Sequence, residues 1–397
     1  MSKSNETTPN VPTLRFREFT DSWTLIPIKK MLRFQNGINA DSTKYGKGIK
    51  YISVSDILNN QYITYDCIKG LIDIDEKTFN KFIVEYGDIL FQRSSETFED
   101  IGRANVYLDK EHSATFGGFV IRGKKISDYN PLFFRYLLCT HNARKQTVRM
   151  GAGAQHYNIG QEGLEKICLY FPCLQEQQKI SDFLSAIDNK IAAQNKIISD
   201  LKVLKKELCN KVFSKGSAVR LGDFIEEVTT RNKSNSCENV LSVSNKMGFI
   251  KQSEQFEDRT VASENKSNYK VVTEGCFAYN PARINVGSIA LLSTQIGIIS
   301  PMYVCFKAKS ALDSEYLNFY YQSGFFYKEL QKKLEGSVRQ CLTYENMSEI
   351  LIPYVGIEEQ KAIAATLNKF ATLIANEEKY LKSLQKQKSY FLNAMFI

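Results

Sequence analysis

The stretch LQEQQKISDFLSAIDNKI at Leu174–Ile191 has a second copy, IEEQKAIAATLNKFATLI, at Ile357–Ile374, 183 positions later in the chain. This one offset aligns residues 153–213 with residues 336–396 without a gap. Similarity of a chain to itself at one fixed offset indicates a repeated architecture. The chain is therefore a duplicated unit, in which each copy has a globular part followed by a better-preserved helical part.

Behind each glutamate-glutamine pair, apolar residues recur at alternating steps of three and four, which is typical of a coiled-coil seam. The apolar seam positions are Leu184, Ile187, Ile191, Ile198, Leu201 and Leu208 in the first copy, and Leu367, Phe370, Ile374, Leu381, Leu384 and Phe391 in the second. A helix of about 40 residues spans about 60 Å, more than a small domain covers. We therefore expect the two helices to pair antiparallel, with Lys205 facing Glu377 and Lys388 facing Gln194. The alternative is that each stripe packs only on its own globular part.

Short β-branched and aromatic runs such as KYISVS (residues 50–55) and NVLSVS (residues 239–244) predict strands in the globular parts. Segments with helical spacing follow them, so the expected fold is α+β, with two pseudo-repeated globular domains connected by two long α-helices that form an antiparallel coiled coil. The predicted segments are a disordered arm at 1–13, globular domains at 14–165 and 216–348, and helical segments at 166–215 and 349–397.

Composition restricts the class of protein. The 397 residues carry a formal charge of +9, from 52 Lys and Arg against 43 Asp and Glu, which favours an anionic partner without requiring one. Nine scattered cysteines never form C-x-x-C, which argues against a disulfide framework and a zinc site. The start MSKSNETTPNVP does not have the pattern of a signal peptide, and no apolar run approaches the roughly 18 residues of a membrane span. We expect a cytoplasmic protein without a membrane partner.

Motifs for catalysis are missing from the sequence. Asn280-Pro281-Ala282-Arg283 begins like the N-P-P-Y motif of adenine methyltransferases but lacks the second proline and the aromatic residue. Neither G-x-x-x-x-G-K-[ST] nor G-x-S-x-G occurs. We expect no catalytic residues, no cofactor and no metal.

The repeated runs LYFPCLQEQQKI (residues 169–180) and ILIPYVGIEEQKAI (residues 350–363), with heptads behind them and dissimilar globular parts before them, resemble the specificity subunit of type I restriction-modification systems. The resemblance covers about residues 14–397. It implies two target-recognition domains, each binding one half of a bipartite asymmetric site in double-stranded DNA, and an antiparallel helical spacer. It also implies docking of two adenine-methylating subunits, joined by motor-nuclease subunits, and no catalysis by the chain itself. The alternative function is a coiled-coil protein-interaction scaffold without sequence-specific DNA binding.

Polar loops that interrupt the strands are the candidates for DNA contact, because Arg, Asn and Gln read base edges while Lys and Ser hold phosphates. In the first globular part these candidates are Lys44, Lys47, Lys50, Ser53, Ser55, Gln92, Arg93, Ser94, Arg103, Arg149, Gln155 and His156. In the second they are Arg231, Lys233, Ser244, Lys246, Tyr279, Asn280, Arg283, Ser337, Arg339 and Gln340. For any one of them, a solvated surface group is the alternative interpretation.

Overall fold

A computed structural model describes residues 10–153, 156–245, 247–255, 266–293, 296–335 and 340–397. The chain forms two compact units. The first contains the residues up to Gln194 together with Tyr380–Ile397, and the second is Asn195–Lys379. Each unit therefore combines one globular part with segments of both long helices.

The elements of the first globular part are mostly short. Its strands are β1 (Thr24–Pro27), β2 (Leu32–Asn36), β3 (Tyr45–Ile52), β4 (Leu71–Ile72), β5 (Ile89–Gln92), β6 (Ser94–Ser95), β7 (Ala104–Val106), β8 (Thr115–Phe116), β9 (Val120–Lys125), β10 (Tyr157–Asn158) and β11 (Cys168–Phe171). Its helices are α1 (Val54–Asn59), α2 (Glu76–Lys81), α3 (Pro131–Leu138), α4 (His141–Arg149) and α5 (Gln161–Glu165), and the first long helix, α6, is Leu174–Phe213.

The second globular part has a similar series. Its strands are β12 (Ser217–Arg220), β13 (Ile225–Glu227), β14 (Val240–Ser244), β15 (Gly248–Lys251), β16 (Lys270–Val272), β17 (Cys276–Tyr279), β18 (Ile289–Leu291), β19 (Gly297–Ile299), β20 (Val304–Ala308) and β21 (Leu351–Tyr354). Its helices are α7 (Gln252–Gln255), α8 (Ser314–Tyr321), α9 (Gly324–Lys333) and α10 (Tyr344–Ser348), and the second long helix, α11, is Ile357–Ala394.

The two units have one sheet order in common and a parallel strand pair in common. An antiparallel sheet has the order β2-β9-β5-β7 in the first unit and β13-β20-β17-β18 in the second. A second sheet contains one parallel pair in each unit, β3 with β8 and β14 with β19. A two-stranded ribbon, β1-β11 or β12-β21, precedes each long helix. The predicted mixed α and β fold with an internal repeat is therefore confirmed.

The repeated glutamine explains why the start of each long helix is preserved. Gln177 is buried, and its Oε1 accepts the backbone N–H of Asn130 at 3.0 Å. Gln360 is also buried, and its Oε1 accepts the backbone N–H of Asp313 at 2.8 Å. Asn130 and Asp313 are the N-caps of α3 and α8. In both copies the glutamine Nε2 also donates to a backbone carbonyl five residues earlier. The glutamine thus ties each long helix to a helix of its own globular part.

The far ends of the long helices are buried in aromatic clusters. Phe213, at the end of α6, lies 4.9 Å from the Tyr316 ring in the core of the second unit. Phe396, just beyond α11, lies 5.4 Å from the Phe133 ring in the core of the first unit. Phe213 and Phe396 are equivalent under the 183-residue offset. Both copies therefore use the same aromatic residue to fix the end of a long helix.

The long helices contact one another in an antiparallel sense. In the first unit, the Phe183 and Phe391 rings are 4.8 Å apart, and Lys388 Nζ lies 2.5 Å from Asp188 Oδ1. In the second unit, Lys202 Nζ lies 2.7 Å from Glu378 Oε1. All twelve apolar seam positions are buried or half-buried. The three-four spacing therefore marks the covered face of both helices.

The expected pairing of Lys205 with Glu377 and of Lys388 with Gln194 stays a prediction, and both lysines have further contacts. Lys388 forms its ion pair with Asp188, six residues before Gln194, which corresponds to more than one and a half helical turns. Lys205 donates to Gln322 Oε1 at 3.3 Å and lies 5.0 Å from the Phe319 ring. Both lysines thus contact groups that the seam pattern did not include.

The predicted disordered arm is wrong for residues 10–13. The Asn10 carbonyl accepts the backbone N–H of Trp23 at 2.8 Å, and Thr13 Oγ1 donates to the Ala394 carbonyl at 3.1 Å. Residues 1–9 lie outside the described residues. These hydrogen bonds fix the segment against the end of α11, a long-range contact that local composition does not indicate. Among the helices in the described ranges, none is long and apolar enough to cross a membrane.

Candidate nucleic-acid interface

Arg93 joins three loops of the first unit. It follows β5, and its backbone N–H donates to the Phe119 carbonyl at 2.9 Å. Its Nη1 donates to the Gly118 carbonyl at 3.3 Å, and its own carbonyl accepts the backbone N–H of Ile159 at 3.0 Å. The loop after β5, the turn before β9 and the segment after β10 therefore meet at one arginine.

Two further contacts extend this junction. Ser94 Oγ donates to Asn158 Oδ1 at 2.5 Å, where β6 pairs with β10. The backbone N–H of Gly117 donates to the Ile52 carbonyl at 3.0 Å, which brings the end of β3 beside the same turn. Ser53 follows directly and caps α1 through Asp56. Candidate loops that are far apart in sequence thus meet in one region of the first unit.

The remaining candidates of the first unit fall into three groups. Five candidates are exposed and can reach a ligand: Lys44, Lys47, Arg103, Arg149 and His156. Two of them also form ion pairs, Lys47 with Asp73 at 3.3 Å and Arg103 with Asp100 at 2.6 Å. Two candidates form hydrogen bonds within the unit: Lys50 donates to the Tyr65 carbonyl at 2.8 Å, and the Ser55 hydroxyl accepts from Asn59. Gln92 is buried and donates to the Ser94 carbonyl, so it supports the loop, and Gln155 lies outside the described residues.

The second unit has its junction at the segment 280–288. Asn280 is buried, its Oδ1 accepts the backbone N–H of Ala282, and its own N–H donates to the Ser288 carbonyl at 3.1 Å. Ser288 Oγ donates to the Val243 carbonyl at 3.3 Å, directly before Ser244. The backbone N–H of Leu342 donates to the Pro281 carbonyl at 3.1 Å, two residues after the exposed Gln340. Three of the predicted segments therefore meet here as well.

The other described candidates of the second unit are exposed. They are Arg231, Lys233 and Arg283, and Arg231 Nη1 donates to the Asn268 carbonyl at 3.0 Å beside β16. Lys246, Ser337 and Arg339 lie outside the described residues.

Tyr279 is a correction to the predicted set. It is fully buried in β17, and its hydroxyl donates to the Thr343 carbonyl at 3.0 Å. Burial raises the pKa of this phenol well above its ordinary value. Strand β17 lies between β20 and β18 and is buried on both faces, so Tyr279 packs in the core and cannot touch DNA.

Two cationic residues of the first unit were missed because they lie on helices and not in loops. Arg135 of α3 and Arg144 of α4 line, with Arg103, a cavity of about 290 Å³. Arg144 Nη2 donates to the Ile101 carbonyl at 2.7 Å, and burial lowers the pKa of its guanidinium. Three guanidinium groups around one cavity suit an anionic oxygen such as that of a phosphate. No group of three or more His, Cys, Asp or Glu within the described ranges could hold a metal ion.

The whole chain is similar to proteins of one known family. The profile of the type I restriction modification DNA specificity domain matches residues 23–203 and again residues 216–386. A Methanocaldococcus jannaschii protein, named as the specificity subunit of type I restriction enzyme MjaX, is 25% identical over 95% of this chain and 93% of its own length. The solved S subunit of a type I restriction-modification system from M. genitalium has a TM-score of 0.59 at 13% identity, covering 98% of this chain and 99% of that one. A structure from work on complex assembly and conformational transition of the type I R-M system has a TM-score of 0.55 at 14% identity, covering 94% and 96%. Because the profile covers most of both copies, this chain belongs to the family of type I restriction-modification DNA specificity proteins.

Proposed function

We propose that this chain is the non-catalytic DNA-recognition subunit of a type I restriction-modification complex, and that each unit reads one half of a bipartite, asymmetric DNA site. One observation carries the proposal. The two units share the strand order of one sheet and a parallel pair in a second, but the segment after the equivalent strands β5 and β17 begins Arg-Ser-Ser in one and Asn-Pro-Ala-Arg in the other. An unchanged scaffold with different polar loops is suited to reading two different sequences.

The long helices set the distance between the two readers in this proposal. We infer an antiparallel coiled coil from the Phe183–Phe391 contact in one unit and the Lys202–Glu378 pair in the other. Helices of 40 and 38 residues are about 60 Å long, which is more than one turn of duplex DNA. The helices would thereby fix the number of base pairs that are not read.

The domain boundaries follow from the same assignment. The target-recognition domains are residues 14–165 and 216–348, and the spacer segments are residues 166–215 and 349–397. Strands β11 and β21 lie at the start of the spacer segments and lead directly into the long helices. We expect the two target-recognition domains to be exchangeable between relatives at these boundaries.

The partners follow from this function. Double-stranded DNA is the ligand, and the net charge of +9 supports it. The repeated helices offer two similar surfaces, which supports docking of two methyltransferase subunits, with motor-nuclease subunits completing the complex. The subunit requires no cofactor or metal in this scheme. We infer that it works in the cytoplasm because its ligand is DNA.

Salt dependence distinguishes this function from that of a protein scaffold. The full chain with its methyltransferase subunits is titrated with labelled duplex DNA at several salt concentrations, with random-sequence duplex as competitor. Contacts to phosphates release counterions, so the logarithm of the binding constant should fall linearly with the logarithm of salt concentration, with a slope of about −0.9 per neutralised phosphate. A scaffold that binds only protein would show no such slope and no selection among duplexes, which would contradict the proposal.

A further inference from the structure

Two large apolar side chains are exposed at the same turn of the two units. In the first unit the turn Gly117–Val120 is closed by the Val120 N–H, which donates to the Gly117 carbonyl at 2.9 Å, and Phe119 is 70% exposed. In the second unit the Tyr303 N–H donates to the Ser300 carbonyl at 3.1 Å, and Met302 is 57% exposed. Each turn leads from the parallel strand of one sheet into the antiparallel strand of the other.

The 183-residue offset also relates Phe119 to Met302, although the turns themselves read Gly-Gly-Phe-Val and Ser-Pro-Met-Tyr. Single exposed apolar residues are common on protein surfaces and need no explanation. Here the two turns have no identical residue at equivalent positions, and yet both have a large exposed apolar side chain at the third position. Exposing such a side chain costs about 1.5–3 kcal/mol relative to burying it, so a shared function explains the repetition better than chance.

A cationic side chain is hydrogen-bonded to the backbone of each turn. Arg93 Nη1 donates to the Gly118 carbonyl at 3.3 Å. Lys270 Nζ donates to the Tyr303 carbonyl at 3.0 Å and also lies 3.8 Å from Glu227. In the first unit, the apolar tip with the Arg93 cation at its base has the chemistry of the side chains that other proteins insert between DNA base pairs, where the apolar group meets the base faces and the cation meets a phosphate. In the second unit the Lys270 side chain is only 12% exposed and supports the turn.

Resting on the proposed function, we propose that Phe119 and Met302 are wedge residues that insert between adjacent base pairs, one in each half of the bipartite site. The side chain replaces base–base stacking by base–side-chain contact and opens that step. Each half-site is then read by polar loops and also selected for how easily one of its steps opens. Phe119 acts on one half-site and Met302 on the other.

The test uses the full chain in complex with its methyltransferase subunits and a duplex that carries its methylated motif. 2-Aminopurine, whose fluorescence rises when it is unstacked, is placed in turn at each step of both half-sites except at the methylated adenines. Phe119→Ala should abolish the fluorescence rise in one half-site only, and Met302→Ala in the other only. The loss of affinity for Phe119→Ala should be about 5- to 150-fold, the range of base–aromatic stacking.

Two controls accompany the test. Phe119→Leu keeps an apolar wedge and should retain most of the affinity and the fluorescence change. Leu25→Ala removes a side chain that is 51% exposed in β1 of the same unit, and it should change neither quantity. Thermal unfolding of each variant checks that it is folded, which we expect because Phe119 is exposed.

The outcomes separate the wedge from the proposed function. A wild-type complex that shows no motif-specific binding refutes the proposed function and the wedge together. If the wild type binds its motif while Phe119→Ala and Met302→Ala bind equally well with unchanged fluorescence, only the wedge is overturned. If the variants instead lose their methyltransferase subunits in gel filtration while DNA affinity is unchanged, the turns bind protein and the wedge is again overturned.

Discussion

Replacement of Lys388 by methionine should destabilise the first unit, because it leaves a buried carboxylate without its cation. Asp188 is 6% exposed, and it receives the Lys388 Nζ at 2.5 Å and the hydroxyl of the buried Tyr136 at 2.8 Å. Lys388 itself is only 23% exposed. Removing one partner of a buried ion pair costs about 3–5 kcal/mol. The partial exposure of Lys388 places the expected cost of Lys388→Met near the lower end, at about 3 kcal/mol.

The duplication supplies a matched control. Lys205 is equivalent to Lys388, Phe319 to Tyr136 and Ala371 to Asp188, so the second unit has the lysine and the aromatic ring but an alanine at the position of the buried carboxylate. Burial lowers the pKa of Lys205, which means that its charge is not well compensated. Methionine also packs favourably against an aromatic ring. Lys205→Met should therefore change stability by less than about 1 kcal/mol.

Calorimetry and hydrogen exchange of the α3 amides measure this difference. A loss of about 3 kcal/mol in a unit of this size lowers the unfolding midpoint by about 6–12 °C. Adding Asp188→Ala to Lys388→Met removes the unpaired carboxylate and should recover at least half of the lost stability. Equal losses for Lys388→Met and Lys205→Met, or no recovery in the double variant, would refute the reasoning.

Three further predictions concern pH, the helix anchor and DNA binding. The pKa of Lys205 lies below its ordinary 10.5 in the folded state, so between the folded-state pKa and 10.5 the unfolded chain binds more protons and stability rises with pH. In paired denaturant titrations, the stability of wild type relative to that of Lys205→Met should therefore increase as pH rises towards 10.5. Gln177→Leu leaves the half-buried N–H of Asn130 without its acceptor and should cost about 1–3 kcal/mol by denaturant unfolding, and an unchanged midpoint would contradict the anchor. Arg231→Ala should reduce the slope of DNA affinity against salt by about 0.9 if the guanidinium contacts a phosphate, whereas an unchanged slope with altered sequence preference would indicate a base contact.

The repeat and the seam could be predicted from the sequence because both depend on local periodicity. The three-four spacing identifies the covered face of a helix whatever covers it. It does not indicate the ion pair between Lys388 and Asp188, which lies beside the Tyr136 ring. The role of Gln177 was equally hidden, because its partner lies 47 residues earlier in the chain.

The candidate loops were predicted better than the individual side chains. Loop positions follow from turn residues, and Arg93 and Asn280 do lie where several of these loops meet. Whether a particular side chain points outwards depends on neighbouring strands, as Tyr279 and Gln92 demonstrate by being buried. Phe119 and Met302 were missed because an isolated apolar residue in a loop carries no signal until the turns of both units are superimposed.

In the proposed function, the two units read two different halves of one DNA site. The most direct measurement is a genome-wide map of N6-methyladenine, by single-molecule sequencing, in cells that express this chain with its methyltransferase subunits. We expect methylation at one asymmetric motif made of two specified parts separated by a gap of fixed length. An assembled, active complex that methylates DNA without such a motif would contradict it.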